Sequence, residues 1–142
     1  MMQGKAMMEN NMVAVTQLYA GLLAIWFLVL SIRVIMGRAG KGGPSLGDGG
    51  DSSMLRRIRG HSNFAEYVPI TILLIGLLEL SGQAKWVIHA LGSMLFVGRV
   101  MHGYALAFSS QNVFGRSVGI VLTLVVLGIA SVLCLYMGVV GL

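Results

Sequence analysis

Between positions 56 and 69 the chain reads Arg56-Arg57-Ile58-Arg59-Gly60-His61-Ser62-Asn63-Phe64-Ala65-Glu66-Tyr67-Val68-Pro69, a polar opening to a long apolar run. At about 100° per residue, Arg56, Arg59, Asn63 and Glu66 share one helical face, with His61 roughly opposite. A second stripe, Arg99 and His102, stands one turn apart within Phe96-Val97-Gly98-Arg99-Val100-Met101-His102-Gly103-Tyr104, and Arg116 and Ser117 open the last apolar run. Guanidinium groups grip carboxylates through bidentate charged hydrogen bonds, a carboxylate accepts from an ammonium, and a carboxamide can donate and accept along a peptide. A guanidinium beside a thiol also favours the thiolate, whose free pKa is about 8.5.

These groups must be positioned by helices in a membrane. Over 142 residues, 56% are hydrophobic and only 11% charged, and the mean hydropathy is +0.84. A soluble domain of this length cannot hide so much apolar surface, whereas a bilayer core about 30 Å thick accepts helices of roughly 20 apolar residues. Hydrocarbon also demands that backbone groups be satisfied within each segment, and the runs lack the alternation of barrel strands. The pattern predicts an all-α membrane protein with a single domain over 1–142 and four antiparallel spans at about 13–36, 54–80, 84–108 and 113–140. The first run is too long for a signal h-region and has no A-x-A site after it, so it is read as a retained span. The Gly-rich stretch 37–53, containing Pro44, is read as a mobile loop.

Of the ten Lys and Arg residues, seven (Arg33, Arg38, Lys41, Arg56, Arg57, Arg59 and Arg116) fall on one side and two (Lys5 and Lys85) on the other. The positive-inside rule then puts the 37–53 loop in the cytoplasm and both termini on the other side. The net charge of +5 forms no basic stripe with interleaved aromatics, so nucleic acid is not an expected partner. A lone cysteine, Cys134, excludes an intrachain disulfide and a cysteine metal cluster. The run Gly40-Lys41-Gly42-Gly43-Pro44-Ser45 lacks the residue order of a phosphate loop.

An ionisable group within a span is costly unless it is paired or lines a cavity, so these polar stripes mark a candidate site, and pairing of Glu66 with Arg99 would neutralise both charges. Arg-x-x-Arg-x-His-x-Asn-x-x-Glu-x-x-Pro followed by Arg-x-x-His resembles the MAPEG superfamily, the membrane-associated proteins of eicosanoid and glutathione metabolism, in particular its short bacterial members. The four spans and the long first loop extend the likeness over essentially the whole chain. The resemblance implies a homotrimer in the bacterial cytoplasmic membrane, with glutathione as co-substrate in a cleft between subunits. Arg56, Arg59, Asn63, Glu66, Arg99 and His102 would line that site. Arg116 and Ser117 resemble the Arg-Ser pair that activates the thiol in prostaglandin E synthases. The implied activity is a glutathione transferase or peroxidase acting on a lipophilic second substrate that arrives from the bilayer. The chain departs from the pattern in two places: the spacing from Arg99 to Arg116 is one residue longer, and Leu106 stands where a tyrosine is expected.

Plainer readings stand beside these. Arg56 and Arg57 can serve topology alone, Glu66 and Arg99 can be a structural pair, and His102 can be a ligand or an interhelical hydrogen-bond partner. His61 is read as a helix-end histidine, Glu79 and His89 as interfacial groups near the other face, and Trp26 and Trp86 as packing or interfacial anchors. The rival functions are a non-catalytic protein that keeps the fold and a small transporter. The absence of any acidic residue between Val13 and Met36 weighs against the compact exporters, which need a carboxylate in the first helix.

Overall fold

The computed structural model describes residues 12–110 and 112–142, and these form four α-helices: α1 (Ala14–Ala39), α2 (Ser52–Leu80), α3 (Lys85–Ala107) and α4 (Val113–Val140). The all-α, four-helix expectation holds. By length and composition α1, α2 and α4 are apolar enough to cross a membrane. The third helix falls below that measure because His89, Arg99 and His102 dilute its apolar content.

Local chemistry sets the helix ends. Asp51 caps α2 by accepting from Ser53 N–H at 2.8 Å, and Asn112 caps α4 by accepting from Gly115 N–H at 2.8 Å. Gly82, at φ +80°, takes the left-handed conformation that turns the chain out of α2. Gly37 does not end α1, which continues to Ala39. The loop beyond it, expected to be mobile, is tied down: one Arg38 nitrogen, Nη1, donates to the carbonyls of Pro44, Ser45 and Gly47 at 3.1–3.2 Å.

The inner pair α2 and α3 each touch the other three helices, whereas α1 and α4 flank them and do not meet. Leu23, Leu30, Phe64, Val68, Ile75, Leu78, Ile88, Leu95, Val126 and Ala130 fill the interior. Outward positions such as Ile25, Leu28, Ile32, Leu124, Val132 and Leu135 are exposed, as a lipid-facing surface requires. Association of helices in lipid depends on close packing and interhelical hydrogen bonds, because hydrocarbon tails are as apolar as leucine. At Gly103 an added Cβ would lie 2.8 Å from Trp26 Nε1 and 3.2 Å from a Leu30 methyl. At Gly119 it would lie 2.5 Å from the Gly98 carbonyl oxygen.

One polar tie joins the far ends of α1 and α2. Glu79, read from the sequence as an interfacial group, is buried, and its carboxylate accepts from Val15 N–H at 3.0 Å and Thr16 N–H at 2.8 Å. The correction has a simple cause: α1 has no side-chain cap of its own, so its first N–H groups need an acceptor, and an anion is favoured at a helix N-terminus. Replacing Glu79 with Ala should lower stability by about 1–2 kcal/mol. Glu79→Gln, which keeps one acceptor oxygen, should lose less; thermal unfolding in detergent measures both.

Candidate functional site

The centre of the polar cluster is Arg99, only 1% exposed. Its Nη1 donates to Asn63 Oδ1 at 2.8 Å, and its Nη2 to the Gly119 carbonyl at 3.3 Å. The guanidinium also lies 5.9 Å from the centroid of the Tyr67 ring, within reach of a cation–π attraction. The bond to Gly119 exists because Gly98 and Gly119 let α3 and α4 backbones approach closely. On the other side of α3, Trp26 Nε1 donates to the Arg99 carbonyl at 3.1 Å. Three helices therefore hold one arginine.

The expected pairing of Arg99 with Glu66 does not form. Glu66 sits on the outward face of α2, exposed, as does Arg59 two turns before it on the same side. Arg56 and Asn63 are half-buried. The four residues that share a face on an ideal helix are thus divided: Asn63 turns in to α3, while Arg59 and Glu66 turn out. Neutral Asn63 reaches Arg99 because it lies on the inner edge of that face, and Glu66, three residues on, has rotated past it. The same outward surface carries Ala65, Pro69, Ile70 and Leu73, all exposed. Pro69 has no N–H, so the Ala65 carbonyl lacks its usual helical donor there.

His102 is buried, and its Nδ1 lies 2.9 Å from the Arg116 carbonyl oxygen, an interhelical hydrogen bond between α3 and the first turn of α4. The Arg116 and Ser117 side chains are exposed at that end. Arg116 and Arg56 border one small cleft with Ser110, Asn112 and Val113. His61, half-buried, stacks on Phe27 at 4.6 Å between ring centroids and does not join the cluster. Tyr104 is exposed and stacks on Phe108 at 5.5 Å, while Leu106 is buried facing Gly60.

Tyr67 and the Gly119 carbonyl are the site elements that the sequence reading passed over. Tyr67 was within reach of it, since it lies one turn beyond Asn63 on α2. The carbonyl could be suspected only from the spacing Gly115-x-x-x-Gly119, a small-residue pattern that marks close helix approach.

A model of the MAPEG family matches residues 16–136 of the chain. The chain is also 39% identical, over 90 residues, to the inner membrane protein YecN of Escherichia coli K12, covering 63% of this chain and 68% of that protein. The YecN protein of E. coli O6:H1 matches to the same extent. No solved structure matches.

Asn63, Arg99, His102 and Arg116 all lie inside the matched segment. Truncating Asn63 to Ala removes the acceptor of a charged hydrogen bond and leaves a buried guanidinium short of a partner, at a cost of about 1.5–3 kcal/mol. Thermal unfolding in detergent should show that loss. Asn63→Asp, which retains the acceptor, should recover most of it.

Proposed function

The chain belongs to the MAPEG family, and from that premise we propose that it is a glutathione-dependent transferase or peroxidase of a bacterial inner membrane. The observation that carries the reading is the exposure of Glu66 and Arg59 on an outward helix face among Ala65, Pro69, Ile70 and Leu73. A charged side chain near the middle of a span costs about 2.5–3.5 kcal/mol, so Glu66, midway along α2, calls for cover by a neighbouring copy and by a polar ligand, with Arg59 nearer the helix start on the same face. Glutathione supplies the matching groups: an ammonium for Glu66, carboxylates for Arg59 and Arg56, and a peptide backbone for the Asn63 carboxamide. Arg99 contributes by fixing Asn63, whose Oδ1 is already taken, so its amide N–H groups are left to donate. Burial of two copies against each other, and a third to close the ring, would give the homotrimer. The inner-membrane location follows the name of the YecN relatives.

The chemistry falls to the exposed Arg116 and Ser117. The Arg116 guanidinium stabilises the glutathione thiolate. That sulfur forms a C–S bond with an electrophilic carbon, which releases its leaving group with the electron pair. With a lipid hydroperoxide, the sulfur instead takes the distal oxygen and the alcohol departs; a second thiol then closes the disulfide and water is released. The lipophilic partner arrives from the bilayer, against which the apolar faces of α1 and α4 lie exposed.

Calorimetric titration of reduced glutathione into the detergent-solubilised chain tests the reading. Saturable binding is expected, weakened about ten-fold by Glu66→Gln, the loss of one charged hydrogen bond. Arg116→Ala should still bind but lose the ultraviolet thiolate signal. Unchanged affinity in Glu66→Gln would remove that residue from the site, and no wild-type binding at millimolar glutathione would refute the function.

A further inference from the structure

A second polar cleft lies within one protomer, apart from the outward Glu66 face. It is a cavity of about 210 Å³ lined by Arg33 of α1, Ser53 and Arg56 of α2, and the chain from Leu106 to Ser110 at the end of α3. Most of its wall is polar, and no carboxylate among the described residues lines it. The nearest acid in sequence, Asp51, is exposed and already caps α2 through Ser53 N–H.

Arg33 is held rigidly at one wall. Its Nη2 donates to the Ala107 carbonyl at 3.0 Å, its guanidinium carbon lies 4.5 Å from the Phe108 ring centroid, and its Nε is buried with no partner among the described residues. Arg56, on the opposite wall, makes no hydrogen bond to a described residue, and it also borders the adjoining cleft that Arg116 lines. Two arginines and the serines Ser53, Ser109 and Ser110 thus line one space from three segments of chain, with no carboxylate of a described residue among them. A planar carboxylate is satisfied by a single bidentate arginine, whereas donors arriving from several directions match the tetrahedral oxygens of a phosphate. The volume falls below the roughly 300–1,000 Å³ of sites that enclose a drug-sized ligand, so it suits a phosphate group with a short stem and is small for a whole tripeptide.

We propose that this cleft binds a phosphate group, either the headgroup of an anionic phospholipid or a soluble phosphate, through Arg33 and Arg56. The site goes beyond the glutathione reading, with which it shares only Arg56, and does not depend on it. It lies where the loop-bearing membrane face meets Leu106 and Phe108, so a headgroup could enter with its acyl chains against the bundle.

The test titrates the full chain in nonionic detergent with dioctanoyl phosphatidate, with inorganic phosphate and with uncharged dioctanoylglycerol. Phosphatidate should bind saturably and dioctanoylglycerol should not. Inorganic phosphate binding as tightly as phosphatidate would assign the site to a soluble ligand; phosphatidate binding at least ten-fold tighter would assign it to lipid. Both Arg33→Gln and Arg56→Gln should weaken binding about ten-fold, the usual effect of losing a charged hydrogen bond. Arg56→Gln keeps the test decisive if Arg33→Gln fails to fold, since Arg56 holds no described residue in place. Absence of saturable binding by either phosphate probe, or wild-type affinity in Arg56→Gln, would overturn the proposal. Displacement of bound phosphatidate by reduced glutathione is expected through the shared Arg56 and should weaken in Glu66→Gln; displacement undiminished in Glu66→Gln would overturn the proposal by giving the cleft to the tripeptide's carboxylates, whereas failure of glutathione to bind at all would leave it intact.

Discussion

A charge placed in hydrocarbon must find its partners within the protein, and this single constraint orders the whole molecule. Inside the bundle, the terminal nitrogens of Arg99 are held by Asn63 and the Gly119 carbonyl, and Glu79 by the first N–H groups of α1. No pair of opposite charges is needed for either. Neutral amide dipoles carry the load, which avoids the desolvation of a second ion that makes buried salt bridges poor stabilisers. Arg59 and Glu66 have no such partners among the described residues, and they stand on the outer surface of one copy. The functional reading grows from that asymmetry.

Close backbone approach is the device that makes the internal partners reachable. With side chains at Gly98 and Gly119, the Gly119 carbonyl would move out of reach of Arg99; with one at Gly103, the Trp26 ring would be displaced from the Arg99 carbonyl. Packing and polar satisfaction are therefore one problem in this bundle. The helices approach closely enough for dispersion to hold them in lipid, and the same approach brings a carbonyl from α4 and an indole from α1 onto α3. Structure and site are built from the same contacts at Arg99.

The fold was legible because its signals are long and repetitive. Four apolar runs, two turn segments and a Gly-rich loop leave little freedom, and the observed helices begin and end within three residues of the predicted bounds. The partners were harder to read. Helical periodicity groups Arg56, Arg59, Asn63 and Glu66 on one face, but a face about 100° wide spans both the inner edge and the outer surface of α2, so periodicity alone could not say that Asn63 turns in and Glu66 out. The Glu66–Arg99 pairing follows from charge alone, whereas the structure engages the two terminal nitrogens of Arg99 with neutral oxygens that hydropathy does not register. Glu79 was misplaced for a related reason: its partners are backbone N–H groups of another helix, which carry no sequence signature. His102 illustrates the remaining gap, since its bond is to the Arg116 backbone and not to the side chain that the motif singles out.

The account turns on whether the outward charges of α2 are covered by a neighbouring copy together with a polar thiol ligand. Native mass spectrometry of the full chain, released from the membrane with reduced glutathione present, tests that most directly. The account predicts a trimer that retains bound glutathione and loses it when Glu66 is replaced by Gln. A monomer without adduct, with Glu66 and Arg59 uncovered, would contradict it.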